Sequence, residues 1–226
     1  MGSIESFNHN FDKKALPSLS GSWTATEMSS TANFCSLEFF KRDIIFHPIN
    51  NHFISEDKFV HSDTGKNLRD KNCDGACVWL NPDLNNAEIL MLVELKSKFS
   101  DTEIRDAFTQ TIFSFLRLHM TMSLCEGYDA RIQQVRLCVG CQTYDRDSGA
   151  KVFDRIKQAS EAGLVGFNTR ILRFLLKGRP VRIEFRTLLN YFGFTLRLPE
   201  YLLNKQVELY LYLTDAPEDT SLRVAL

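Results

Sequence analysis

Residues 93 to 103 read VELKSKFSDTE, and the pair Glu94 and Lys96 lies at the end of an apolar run from Ile89 to Val93. Side chains alternate across a strand, so in an extended segment both would project from one face and Val93 and Leu95 from the other. A carboxylate and an ammonium placed together at a strand end, partly removed from water, must be paired or used. Asp74 lies twenty residues before Glu94, just ahead of a second strand candidate. A turn between the two would bring Asp74 beside Glu94, and two carboxylates at one strand end make a hard oxygen site suited to Mg2+ or Mn2+.

The elements that must position these residues can be read from periodicity. GACVWL and EILMLVELK are strand candidates separated by NPDLNN, whose Asn, Pro and Asp are turn residues, so the two read as a hairpin. Both faces of the second strand are apolar, as in a central strand covered on two sides. Ser100 and Glu103 form a capping box, and Ile104, Phe108, Ile112, Phe115 and His119 follow at three- and four-residue spacing. A long amphipathic helix is expected to about Leu124.

Upstream, residues 1 to 30 are rich in Ser, Thr and Asn and read as an arm or irregular cover with Trp23 as an anchor. Phe34, Leu37, Phe40, Ile44 and Ile45 predict a helix that Pro48 ends, followed by a polar loop from 49 to 73 with a short strand around Phe59. Downstream, RIQQVRLCVGCQTY predicts a strand, AKVFDRIKQASEAG a helix closed by Gly163, and NTRILRFLLKG a helix capped by Asn168 with Gly178 past its end. PVRIEFRTL and QVELYLYLT predict two late strands, the second an apolar, aromatic edge able to pair with another copy as a homodimer. The whole is an α/β chain, a mixed central sheet flanked by helices, with one domain from 31 to 226 after the arm.

Composition bounds the partners. The chain has 226 residues, 44% hydrophobic and 24% charged, with a formal net charge of −1, so nothing global draws it to a polyanion and nucleic-acid binding would need a local basic patch. No apolar run reaches the length of a membrane span, the start of the chain lacks the pattern of a secretory signal, and a cytoplasmic location is the default expectation. The six cysteines do not form a disulfide framework. Cys73, Cys77, Cys138 and Cys141 offer four thiolates to a zinc, although cysteine in VRLCVGC equally suits a small buried apolar position. Asp83 belongs to the turn, and His47, His52, His61 and His119 are scattered, His119 on the apolar helix face.

Asp74, then Glu94-Leu95-Lys96, on a hairpin followed at once by a helix, resembles the PD-(D/E)XK nuclease superfamily. The resemblance covers roughly residues 34 to 142, with 148 to 226 as a C-terminal extension, and Cys73 stands where the family's name has proline. It implies a restriction-endonuclease-like core, with a first strand lying in the loop before Asp74. It also implies divalent-metal-dependent hydrolysis of phosphodiester bonds in nucleic acid, DNA above RNA, in bacterial genome defence or DNA processing. Asp74 and Glu94 would hold Mg2+ or Mn2+, and Lys96 would orient or help deprotonate the attacking water and stabilise charge on the phosphate. Glu38, on the expected first helix, would add a metal ligand, and Gln110 matches a glutamine some subfamilies place near the site.

A nucleic-acid substrate asks for a basic surface. Lys98 follows the triplet, Arg170, Arg173 and Lys177 share one helix face, and Arg182 and Arg186 share one face of the expected strand. The alternative is a nuclease-like module without catalysis that binds nucleic acid or a partner protein.

Overall fold

A computed structural model describes residues 3–11, 16–27, 29, 32–55, 72–81, 87–128, 132–142, 154, 158, 167–214 and 219–226. The strands are β1 (Leu19–Thr26), β2 (Ser36–Ile49), β3 (Gly75–Asn81), β4 (Ala87–Lys96), β5 (Ile132–Gln142), β6 (Val181–Glu184), β7 (Gln206–Thr214) and β8 (Ser221–Ala225). The described helices are α1 (Ser3–Asn10), α2 (His52–Ser55), α3 (Asp101–Met122), α4 (Phe167–Leu175), α5 (Phe185–Phe192) and α6 (Glu200–Leu203). All eight strands belong to one mixed sheet in the order β1-β2-β3-β4-β5-β7-β6, with β8 parallel to β2.

β3 and β4 are the expected antiparallel hairpin, with Gly75 opposite Val93 and Asn81 opposite Ala87. β4, β5 and β7 are parallel neighbours, and α3 is the crossover from β4 to β5. Its start is set by Ser100, whose hydroxyl accepts from the Glu103 N–H, as the capping box predicts.

Alternation along the strands divides the core in two. Ala76 and Val78 of β3, Leu90 and Leu92 of β4, and Val135, Leu137 and Val139 of β5 meet Phe108, Ile112 and Phe115 of α3, with Phe7 of α1 and Phe185 of α5. On the opposite face Cys77, Trp79, Ile89, Met91, Val93 and Leu95 are covered by Trp23 and Ala25 of β1 and by Leu37, Phe39, Ile44 and Phe46 of β2. The sheet therefore curls, and its own first strands cover the face that the helices leave. Each large apolar side chain buried in these layers contributes about 1.5–3 kcal/mol.

Several expectations are corrected. The segment predicted as a helix after Phe34 is β2, and Pro48 lies within it, paired with Cys77. β2 therefore pairs with β3 directly, and residues 56–71 of the loop before Asp74, where a first strand is expected, lie outside the described residues. The N-terminal arm is regular in large part, forming α1 and β1, while Trp23 is the buried anchor expected of it. PVRIEFRTL is a strand only to Glu184 and a helix from Phe185, because Phe185, Leu188, Leu189 and Phe192 bury one helical stripe. Helix α4 begins at Phe167, so Asn168 lies inside it, and Gly178 follows its end with φ +68°.

The strand around Phe59 lies outside the described residues, and the helix of AKVFDRIKQASEAG lies almost entirely outside them. β7 is flanked by β5 along its length and by β6 only from Gln206 to Leu209, so among the described strands Tyr210 to Thr214 pair on the β5 side alone. Among the described residues no helix is long and apolar enough to cross a membrane.

Candidate active site

Asp74, Glu94 and Lys96 come together at the C-terminal end of β4. Register and alternation do this: Asp74 immediately precedes Gly75, the partner of Val93, so Asp74, Glu94 and Lys96 all project toward the α3 side of the sheet. The Asp74 N–H donates to the Val93 carbonyl at 2.9 Å, and its carboxylate Oδ2 accepts from the Leu95 N–H at 2.6 Å. Asp74 is thus fixed to β4 through backbone on both sides of Glu94.

Glu94 is 1% exposed. Its Oε1 accepts from the Lys96 ammonium at 2.6 Å, whereas no N–H or hydroxyl group donates to the buried Oε2. Lys96 donates a second bond to Gln110 Oε1 at 2.8 Å, and Gln110 Nε2 donates to the Asn72 carbonyl at 3.0 Å. Gln110 thus holds the lysine from α3. The Lys96 side chain keeps 19% of its surface exposed against 2% for Glu94, so the site opens on the lysine side.

Burial and mutual repulsion govern the charges. Burial pushes the Asp74 carboxyl up to about 7, and the Leu95 N–H, Lys96 and a hydrogen bond with Glu94 only partly oppose it. Burial, then the charge of Asp74, raises Glu94 well above the usual carboxylate range, with Lys96 opposing. Burial acts to depress Lys96, but Glu94 and Asp74 outweigh it and the ammonium is held above its ordinary value. Burial and mutual repulsion thus disfavour two negative charges here in spite of the Lys96 ammonium.

A third carboxylate acts on the pair. Glu27, just past β1, raises both Asp74 and Glu94 through its charge. Its stretch of chain is pinned to the site's rim, since the Asn33 and Phe34 N–H groups donate to Ser97 Oγ at 2.8 and 3.2 Å. Nothing in the order of residues pointed to Glu27, which reaches the site through the curl of the sheet. Glu38 does not take the place expected of it: it lies on β2, not a helix, and pairs with Arg223 at 3.3 Å.

The remaining candidates separate. The four cysteines proposed for zinc lie on both faces of the sheet, Cys73 and Cys141 in the helix-side core and Cys77 and Cys138 in the other, so a single ion cannot take them. Among the described residues no group of three or more His, Cys, Asp or Glu side chains is arranged to hold a metal ion. His119 is a satisfied core histidine, hydrogen-bonded to the hydroxyls of Tyr128 at 3.0 Å and Tyr201 at 3.2 Å. Asp83 and His61 lie outside the described residues, as does the side chain of His52.

Lys98 is exposed beside the site. Arg173 is exposed on α4 opposite buried Ile171, Leu172 and Leu175, Lys177 is exposed in the turn just past its end, and the side chain of Arg170 lies outside the described residues. Arg182 and Arg186 do not share a strand face, because Arg186 is on α5, bound to Glu200 and Asn204. Arg182 stands opposite Glu208, then Arg136, then Met91 along the register. At ~3.3 Å per residue and ~4.8 Å per strand, that places it about 20 Å from Lys96. The arginine of β6 and the carboxylate site therefore occupy different ends of the sheet.

Comparisons of the chain with protein-family models, with curated proteins and with solved structures find no match. The chemistry of the site has to carry the functional reading by itself.

Proposed function

We propose that the chain is a divalent-metal-dependent phosphodiesterase acting on nucleic acid, DNA above RNA, with Asp74, Glu94 and Lys96 as its catalytic group. The observation that carries this reading is a pair of adjoining buried carboxylates, Glu94, to whose Oε2 no N–H or hydroxyl group donates, and Asp74, whose pKa burial has raised. A buried polar atom left without a partner costs stability, and a cation bound there would remove that cost and the repulsion together. The donor set is all oxygen, which suits Mg2+ or Mn2+ over softer metals.

Asp74 and Glu94 would hold the ion. A divalent cation in such a site neutralises charge on a phosphate and on its leaving oxygen. Lys96 contributes from the open side. Its raised pKa keeps it an ammonium, which suits donation to a phosphoryl oxygen in the transition state over removal of a proton from water. Gln110 keeps that ammonium in place, and the Leu95 N–H keeps Asp74 in place.

The second reading, a nuclease-like module without catalysis, has one observation in its favour: Lys96 is engaged by Glu94 and Gln110 rather than free. Calorimetric titration of Mn2+ and Mg2+ into the protein and into its Asp74→Ala and Glu94→Ala variants, with plasmid cleavage on the same samples, separates the two. Binding and cleavage present in the wild type and lost in both variants are expected. Wild-type protein that binds neither ion and cleaves nothing would sink the catalytic reading.

A further inference from the structure

Helix α3 carries a polar stripe through an apolar core. Gln110, Ser114 and Arg117 lie at i, i+4 and i+7 and so on one face of the helix. Ser114 and Arg117 are 0% and 5% exposed, at a depth where the neighbouring Phe113, Phe115, Leu116 and Leu118 are all buried. All three grip the same two residues, those immediately before Asp74. Gln110 Nε2 donates to the Asn72 carbonyl at 3.0 Å, Ser114 Oγ accepts from the Cys73 N–H at 2.9 Å, and Arg117 Nη1 donates to the Asn72 side-chain oxygen at 2.6 Å. The same Arg117 nitrogen donates to the Ile54 carbonyl at 3.2 Å, so one guanidinium holds the chain where it leaves α2 and where it returns at Asn72.

We infer that Arg117 is a positioning residue of the Asp74–Glu94–Lys96 group, acting through Asn72. The inference rests on the metal-dependent reading above. A buried guanidinium is an expensive way to fill core volume, and an apolar side chain of similar size would serve stability as well or better. What an apolar residue cannot do is fix Asn72. Asn72 in turn fixes two site residues: its carbonyl anchors Gln110, which orients Lys96, and its peptide leads into Cys73 and Asp74. Arg117 touches none of the three directly.

The role has a measurable consequence separate from folding. Residues that orient metal ligands from behind change metal affinity or turnover by about 10- to 100-fold when removed. Arg117→Met is therefore expected to weaken Mn2+ binding about tenfold and to lower kcat with little change in KM, measured at a temperature where circular dichroism shows the variant folded. Asn72→Ala, which leaves Arg117 its bond to Ile54, is expected to do the same. The double variant should be no worse at the site than either single one, because both act through one bond. Asn72→Ala also covers the case in which Arg117→Met does not fold.

Calorimetry with Mn2+ and plasmid cleavage on wild type, both single variants and the double variant decide the matter. Folded variants with wild-type Mn2+ affinity and kcat would overturn the role of Arg117 while leaving the nuclease reading intact. Effects of the two substitutions that simply multiply would also overturn it, since they would be independent. Wild-type protein without Mn2+ binding or cleavage would overturn both readings at once.

Discussion

At the scale of single residues, burial of two neighbouring carboxyls makes the stability of the site depend on pH. Asp74 has an ordinary value of 3.8 and is pushed up to about 7 by burial, and Glu94 is displaced in the same direction. A carboxyl whose folded pKa is raised binds its proton more tightly folded than unfolded. Stability from it is present at low pH and is lost as pH rises from the unfolded value through the folded one. The metal-free protein should therefore have a melting temperature that falls between about pH 4 and pH 7, the window set by Asp74. Asp74→Asn keeps an oxygen for the Leu95 N–H and removes one charge, so at pH 8 without metal it should melt above the wild type, by about 2 °C or more. The same variant should lose the rise in melting temperature that Mn2+ gives the wild type. Calorimetric scans across pH with and without Mn2+ test both parts, and a wild-type melting temperature that climbs from pH 4 to 7 would contradict the charge assignment.

At the scale of elements, the hairpin, the capped helix and the parallel strand after it were legible because each obeys one local rule without interruption. The triplet Asp74, Glu94, Lys96 was legible for the same reason, since alternation and one turn suffice to bring it together. β2 was not legible, and its burial shows why. Leu37 and Phe39 alternate on the buried side, and so do Ile44 and Phe46, but the phase slips by one between them. The slip falls at an irregularity where the pairing with β1 shifts and Asp43 takes φ +64°. A bulge inside a strand adds a residue to the count, and the summed spacing then imitates a helix. Glu27 was hidden by the same event, since only the curl of β1 and β2 across the sheet brings it to the site. The stripe of Gln110, Ser114 and Arg117 left a readable trace: three polar residues in register on one helix face, beside the buried apolar Phe113, Phe115, Leu116 and Leu118.

The packing of β5 against this curl gives an element-scale prediction. A Cβ at Gly140 would lie 2.9 Å from both Leu95 and Phe34 and 3.3 Å from Leu37, closer than side chains tolerate. Gly140→Ala must push β4 or the start of β2 aside, and overpacking of this kind costs about 1–3 kcal/mol. Because the Leu95 N–H holds Asp74, the displacement should also weaken Mn2+ binding. Urea unfolding gives the first quantity and titration of Mn2+ the second; a variant as stable as the wild type would show that the β4–β5 contact is looser than these distances.

For the whole molecule, closure depends on the last strand. β8 runs parallel to β2 from Ser36 to Phe40, and the chain entering it is tied at several points: the Cys35 and Ser36 N–H groups donate to the Thr220 carbonyl at 2.7 and 3.2 Å, and Gln142 Nε2 donates to the Asp219 carbonyl at 3.0 Å. After β8 the Leu226 N–H donates to the Phe40 carbonyl at 3.1 Å. These bonds fix the chain beside Asn33 and Phe34, whose N–H groups reach Ser97 at one rim of the site. A chain ending at Thr214 would leave the first half of β2 with one side unpaired, and an unpaired, apolar strand edge is a template for association. The shortened protein should therefore melt lower, elute from a sizing column larger than one chain, and bind Mn2+ more weakly than the full chain. Adding a peptide of residues 215 to 226 should reverse the association, because it restores the missing partner of β2. A truncated protein that stays monomeric with unchanged melting temperature would show that β8 is an ornament on β2 and that the rim holds its shape without it.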